Sequence, residues 1–142
     1  MRAPSRILIV DDEDVVRRSY ASALASHCRA ECAADGEEAM RAMERAPFDL
    51  VLLDLRMPGA GGMSVLEAMK RRWPDREVVV ITGYPTVETA KEAVRLGAFD
   101  YLAKPIGPDE LLGAACRALT RKQWALHGAD EEPAKRFSPT PP

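Results

Sequence analysis

Long apolar runs are missing from this sequence, and cysteine, histidine and aromatic residues are scarce. The chain has 142 residues, of which 3 are cysteine, 2 are histidine and 6% are aromatic. No apolar stretch approaches the roughly 20 residues that a membrane-spanning helix needs. The apolar stretch Ile7 to Val10 is also too short for the core of a signal peptide. We therefore expect a cytoplasmic protein that does not insert into a membrane.

The few cysteines fit neither a disulfide framework nor a zinc site. Their number is odd, and Cys28-x-x-x-Cys32 has no second cysteine pair and no histidine cluster to complete it. We interpret Cys28, Cys32 and Cys116 as small, mostly buried side chains.

An excess of positive charge is missing as well. The formal net charge is -2, whereas proteins that bind nucleic acid directly need a basic surface. We interpret the basic clusters Arg17-Arg18 and Lys70-Arg71-Arg72 as solvated helix faces. Nucleic acid is therefore not expected as a direct partner.

What the sequence does contain is a regular alternation of apolar runs and helical patterns. Runs rich in β-branched residues and leucine predict strands, and because they are continuously apolar we expect both faces of each to be buried. They are Ile7 to Val10, Leu50 to Leu53, Val78 to Ile81, Phe99 to Leu102 and, as a poorer candidate, Ala30 to Ala33. Helical periodicity follows each strand, and the last helix begins at Pro108 and ends near His127. This order predicts an α/β fold, a doubly wound five-stranded parallel sheet with helices on both faces.

The chain divides into two parts. Residues 5–125 carry the alternating pattern and are expected to form one domain with its own core. Residues 126–142 are polar and proline-rich, so we interpret them as a disordered tail or the stub of a linker.

Polar residues follow the predicted strands at the points where ligand sites lie in such folds, beyond the carboxyl ends of the strands. These residues are Asp11, Asp12, Asp54, Thr82 and Lys104. Three carboxylates gathered at one edge repel each other unless a cation neutralises them. Hard oxygen ligands with room for phosphate oxygens favour Mg²⁺ over zinc.

Asp54 ends a strand that should be central and rigid. A carboxylate can attack phosphorus when nearby cations balance the developing charge, which gives an aspartyl phosphate. Lys104 supplies one such cation, and the Thr82 hydroxyl can donate to a phosphate oxygen. Pro105 suggests a cis peptide bond after Lys104 that aims the lysine inward.

Four ordered segments together resemble the receiver domain of two-component response regulators. They are Val10-Asp11-Asp12-Glu13, Leu53-Asp54-Leu55-Arg56-Met57-Pro58-Gly59, Ile81-Thr82-Gly83 and Tyr101-Leu102-Ala103-Lys104-Pro105. The resemblance implies a flavodoxin-like strand order of 2-1-3-4-5 and Asp54 as the phosphoacceptor. It implies Asp12 as a direct Mg²⁺ ligand, Asp11 as a ligand mainly through water, and Arg56 as a ligand through its backbone carbonyl. Thr82 and Tyr101 would form the switch pair.

The same resemblance implies a function and partners. The chain would accept a phosphoryl group from a sensor histidine kinase or a histidine phosphotransfer protein. It would then change the surface of its fourth helix, fifth strand and fifth helix to control an effector, and a phosphorylation-dependent dimer is a further candidate partner. It would not be an enzyme beyond its own phosphotransfer and slow self-dephosphorylation. We expect self-dephosphorylation to be slow because Arg56 and Tyr84 are bulky and would hinder the water that attacks the phosphoryl group.

One segment departs from the family pattern. Many receivers carry an acidic residue before the glycine that opens the third helix, whereas this chain has Gly61-Gly62. We expect a poorly capped helix, with Ser64-x-x-Glu67 as a later capping box.

Other interpretations remain open at this point. Each residue alone has an ordinary role, since acidic residues cap helices and Lys104-Pro105 fits a loop. An aspartate-nucleophile phosphatase would want an acid two residues after Asp54, where this chain has Arg56. A flavin-binding module would need a phosphate-binding loop after the first strand, where this chain has Asp11 and Asp12. A receiver that signals without phosphate is the third alternative.

Overall fold

The computed structural model describes residues 4–57, 59 and 61–127, with side chains as far as residue 121. Strands and helices alternate throughout this part of the chain. The strands are β1 (Arg6–Val10), β2 (Arg29–Ala33), β3 (Leu50–Leu53), β4 (Glu77–Thr82) and β5 (Asp100–Ala103). The helices are α1 (Asp14–Leu24), α2 (Gly36–Arg45), α3 (Gly62–Arg72), α4 (Val87–Arg95) and α5 (Pro108–His127).

The five strands form one parallel sheet in the order β2-β1-β3-β4-β5. The expected fold class and strand order are therefore confirmed. In this register Val10 of β1 pairs with Leu53 of β3, and Thr82 of β4 pairs with Ala103 of β5. The residues that follow these four positions consequently start from the same edge of the sheet.

Alternate residues of the strands face two separate cores. Leu8, Val51 and Val80 contribute to the core under α2, α3 and α4. Ile9 and Leu52 contribute to the core under α1 and α5. Strands with two buried faces need continuous apolar sequence, which is why β1, β3 and β4 stand out in the chain.

The expectation that the run Phe99 to Leu102 is buried on both faces was wrong. The strand there is Asp100–Ala103, and none of its residues is fully buried. β5 is at the edge of the sheet, where one side has no neighbouring strand among the described residues. The other edge strand, β2, has the same partly exposed character.

Several side chains also differ from the sequence interpretation. Cys32 and Cys116 are exposed and Cys28 is half-buried. Arg17 is mostly covered rather than solvated, with 18% of its side chain exposed. Lys70 lies against the turn after α3, where its ammonium group donates to the carbonyl oxygens of Pro74 at 2.9 Å and Arg76 at 2.8 Å.

The third helix begins earlier than its expected capping box. Its N-cap is Gly61, which makes no side-chain capping bond. Poor capping was thus expected correctly, but the role given to Ser64 was wrong because Ser64 already lies in the first turn.

The C-terminal end of the domain is a long helix. α5 continues to His127, beyond the boundary at residue 125. Residues 128–142 of the predicted tail lie outside the described part of the chain. Where the structure describes the chain, no helix combines the length and the apolar character needed to cross a membrane.

Candidate functional site

The carboxyl ends of β1 and β3 bring three carboxylates together. Asp11 and Asp12 follow β1, and Asp54 follows β3. One carboxylate oxygen from each residue lies within 4.8 Å of the other two. Asp11 and Asp54 are buried, with 2% and 5% exposure, whereas Asp12 is open to solvent. This geometry suits an ion with several oxygen ligands and one side accessible from solution.

Lys104 reaches the same cluster from the end of β5. Its ammonium nitrogen lies 2.7 Å from Oδ2 of Asp11 and 3.4 Å from Oδ2 of Asp54. Burial alone would lower the pKa of Lys104, but the hydrogen bond and the charge of Asp11, with the charge of Asp54, raise it above its ordinary value. The peptide bond between Lys104 and Pro105 is cis. Lys104 therefore brings a positive charge into the acidic cluster.

Asp54 occupies an environment that works against its negative charge. Burial raises the pKa of its carboxyl group, while the backbone N–H of Arg56 and the charge of Lys104 oppose that rise. The Arg56 N–H donates to Oδ1 at 3.1 Å. Desolvation leaves a carboxylate less well stabilised by water and so more reactive toward an electrophile.

The two expected switch residues, Thr82 and Tyr101, have different hydrogen-bond partners. Thr82 is 1% exposed, and its hydroxyl oxygen accepts the backbone N–H of Tyr84 at 3.2 Å. The hydroxyl of Tyr101 instead bonds to Thr86 and Thr89 at the beginning of α4. Among the described residues, no hydrogen bond joins Thr82 to Tyr101 or to Asp54.

A cleft of about 610 Å³ opens over the carboxylates. Its walls include Asp12, Asp54 and Lys104, and Arg56 and Tyr84 also line it. The Arg56 guanidinium lies over the Tyr84 ring, with 4.0 Å from its central carbon to the ring centroid. A cation stacked on an aromatic ring is a favourable contact. The two side chains therefore form a joint wall beside the phosphoacceptor candidate.

The sequence and the site geometry together match a known family. The family model described as the response regulator receiver domain matches residues 7–115. This chain belongs to that family. It is a receiver domain, whose family role is that of a phosphorylation switch in two-component systems.

Individual relatives agree with this assignment. The regulatory protein AtoC of Escherichia coli strain K12 is 44% identical over 120 residues, which cover 84% of this chain and 26% of AtoC. A CheY-like receiver domain protein from Methanospirillum hungatei JF-1 superposes with a TM-score of 0.83 at 30% identity, covering 85% of this chain and 98% of that one. The BeF3-activated receiver domain of DrrB gives a TM-score of 0.78 at 26% identity, covering 84% and 100%. The chain spans about a quarter of the length of the curated relatives it matches.

The receiver's site also contains residues that the sequence reasoning missed. Arg17 donates from Nη1 to the backbone carbonyl of Asp11 at 2.7 Å, which ties α1 to the loop after β1. The Glu13 backbone N–H donates to Oδ1 of Asp11 at 2.9 Å. Arg17 comes one helical turn after Glu13, so its spacing could have indicated a side chain directed back at this loop.

Proposed function

We propose that Asp54 is the phosphoacceptor of this receiver and that Asp11, Asp12, Asp54 and the backbone carbonyl of Arg56 hold a Mg²⁺ ion. The observation that carries the proposal is the convergence of three carboxylate oxygens within 4.8 Å beside one partly buried ammonium group. The donor set fits the ion, because hard oxygen ligands with open positions for water and phosphate suit Mg²⁺. When bound, the ion would neutralise charge on the phosphoryl oxygens.

The chain's own residues would perform the transfer as follows. An Asp54 carboxylate oxygen attacks the phosphorus of a phosphohistidine, so that a P–O bond forms as the P–N bond breaks. Lys104 moves from its contact with Asp11 to a phosphoryl oxygen, for which a mobile ammonium group is suited. Thr82 gives up its bond from the Tyr84 N–H and donates its hydroxyl to another phosphoryl oxygen. Tyr101 then takes a new position, which is the family's readout.

The donor would be a sensor histidine kinase or a histidine phosphotransfer protein, and the output an effector that reads α4, β5 and α5. Val87 and Val94 support this surface, because they lie seven residues apart on one face of α4 and are 71% and 63% exposed. An effector or a second phosphorylated copy would cover them. The cytoplasmic location stays a prediction.

The wall formed by Arg56 and Tyr84 supports slow self-dephosphorylation rather than turnover. An attacking water must approach phosphorus opposite Asp54, and two stacked side chains beside Asp54 narrow that approach. Arg56 also stands where an aspartate-based phosphatase would need a general acid, and a guanidinium group cannot donate a proton in that role.

The test is phosphorylation by a small phosphodonor with Mg²⁺, followed by intact mass. The native protein should gain one phosphoryl group, and Asp54→Asn should gain none. Asp49→Asn is a matched control, because Asp49 is a carboxylate next to the other end of β3, where its Oδ2 accepts the Arg6 N–H at 2.9 Å. Equal labelling of native protein and Asp54→Asn would contradict the proposal.

A further inference from the structure

The hydroxyl group of Tyr101 connects β5 to the first turn of α4. Its oxygen accepts the backbone N–H of Thr86 at 3.2 Å and is hydrogen-bonded to the hydroxyl of Thr89. Thr86 is the N-cap of α4, and Thr89 is the third residue of that helix. A side chain of the sheet is thus fastened to the end of a helix that lies over it.

Thr86 and Thr89 also cap the helix by themselves. The Thr86 hydroxyl accepts the Thr89 N–H at 3.0 Å, and the Thr89 hydroxyl donates to the Thr86 carbonyl at 3.2 Å. Each hydroxyl has one proton to give. The Thr89 hydroxyl oxygen also lies 2.9 Å from the Thr86 hydroxyl oxygen. When the Thr89 proton serves the Thr86 carbonyl, Tyr101 donates its own proton to Oγ1 of Thr89. Removing that oxygen breaks the hydrogen bond between the two side chains, whichever of them donates.

The same segment of chain reaches the proposed phosphorylation site. Thr82 accepts the N–H of Tyr84, and Tyr84 is only two residues before the N-cap Thr86. If Thr82 moves to a phosphoryl oxygen, the Tyr84 N–H loses this acceptor and the segment leading to Thr86 must adjust. The contacts of Tyr101 with Thr86 and Thr89 belong to the arrangement in which Thr82 has not moved, so they stabilise that arrangement.

We propose that Thr89 is a positioning residue for the switch: its side-chain oxygen holds the Tyr101 hydroxyl against the first turn of α4 and thereby opposes the phosphorylated arrangement. The regulatory half of this inference rests on the proposed roles of Asp54, Thr82 and Tyr101. The contact itself does not, and it can be measured with no phosphate analogue present.

The contact is measured by a double-mutant cycle of Thr89→Val and Tyr101→Phe in denaturant unfolding, with chelator present. Thr89→Val removes the bonds of the Thr89 hydroxyl to Thr86 and its contact with Tyr101, whereas in the Tyr101→Phe background it removes only the bonds to Thr86. A neutral hydrogen bond predicts non-additivity of about threefold to tenfold in the unfolding equilibrium constant. Additive effects would show that the two hydroxyl groups are not coupled and would overturn the proposal.

The regulatory effect is measured by binding of Mg²⁺ and beryllofluoride, the ligand in the activated DrrB structure. Thr89→Val should bind it about threefold to tenfold more tightly than the native protein, because the hydrogen bond between Thr89 and Tyr101 favours only the unbound arrangement. Thr89→Ser keeps the oxygen and should bind like the native protein. Unchanged or weaker binding by Thr89→Val would refute the regulatory role. Absence of binding by the native protein would refute the Asp54 assignment and this role together, while the unfolding cycle would still report on the contact.

Discussion

A single added methyl group at Gly62 should disturb both the stability of the domain and the position of Asp54. Gly62 is the first residue of α3, and it is buried beneath the loop that carries the phosphoacceptor candidate. A Cβ atom at this position would lie 2.4 Å from the carbonyl oxygen of Asp54 and 2.5 Å from Cα of Leu55. Both are backbone atoms, so no side chain can rotate away to relieve the contact.

The magnitude follows from two opposing terms. Overpacking against rigid neighbours costs about 3 kcal/mol at the upper end of its usual range. The lower chain entropy of alanine in the unfolded state returns at most about 1 kcal/mol. Gly62→Ala should therefore lower the free energy of unfolding by about 2 kcal/mol, which for a domain of this size is a decrease of about 8 °C in melting temperature.

The neighbouring glycine provides the matched control. A Cβ atom on Gly61 would meet nothing within 4 Å, and its φ of -55° suits any residue. Gly61→Ala should cost only about 0.5 kcal/mol, since alanine is a poorer N-cap than glycine. Denaturant unfolding measures both values. If Gly62→Ala is no less stable than Gly61→Ala, the close approach of α3 to Asp54 does not exist as described.

The same pair of variants tests the position of Asp54. Displacing the Asp54 carbonyl shifts the carboxylate relative to Lys104 and Asp12, and sub-ångström errors at a reacting group are costly. The rate of phosphorylation by a small phosphodonor should fall by about tenfold or more in Gly62→Ala and stay near the native rate in Gly61→Ala. An unchanged rate in a correctly folded Gly62→Ala would contradict this account.

Four further changes test other parts of the structure. Lys104→Met leaves buried carboxylates without their cation and should lower the free energy of unfolding by about 3 kcal/mol in chelator. Added Mg²⁺ should reduce this loss, and Lys104→Arg should lose less stability. Burial raises the pKa of the Tyr20 hydroxyl despite the opposing charge of Lys104. The neutral Tyr20 therefore contributes its full stability below the pKa of a tyrosine in the unfolded chain, about 10, and this stability is lost as the pH rises through the pKa in the folded protein. Tyr20→Phe should therefore unfold at higher pH in an alkaline titration monitored by circular dichroism, and an unchanged midpoint would contradict this. Gly61→Asp adds the missing N-cap of α3 and should raise the free energy of unfolding by a few tenths of a kcal/mol. Tyr84→Ala opens the wall beside Asp54 and should shorten the phosphate lifetime severalfold, and a longer lifetime would contradict the shielding role.

The central part of the fold could be predicted because its physical signals are local. Strands buried on both faces need continuous apolar sequence, so β3 was found at its observed bounds. The burial of β5 was misjudged because an edge strand is partly exposed. Its first residue was misplaced because Phe99, just before the strand, is as apolar as Leu102 within it. The first turn of α3 was placed too late because its N-cap, Gly61, has no side chain to reveal it.

The candidate site likewise has residues that could be predicted from the sequence and contacts that could not. Asp11, Asp54 and Lys104 could be found because each directly follows a strand of a sheet whose topology brings those ends together. Contacts between separate elements left no such signal: the bonds of Tyr101 to Thr86 and Thr89 depend on how α4 packs on the sheet. Such contacts are set by tertiary distance rather than by spacing along the chain.

In the proposed function, the charges of the site call for a divalent ion during both phosphorylation and its readout. Three carboxylates face one ammonium group, so two negative charges remain uncompensated before any phosphoryl group arrives. Lys104 is already committed to Asp11 at 2.7 Å, and it can turn to a phosphoryl oxygen only if another cation takes its place beside that buried carboxylate. We therefore expect Mg²⁺ binding and the release of Lys104 to be coupled. Asp12→Asn, which removes the exposed carboxylate, should weaken Mg²⁺ binding and phosphorylation together while leaving the contact between Lys104 and Asp11 intact. Loss of phosphorylation with undiminished Mg²⁺ affinity would show that the two are separate.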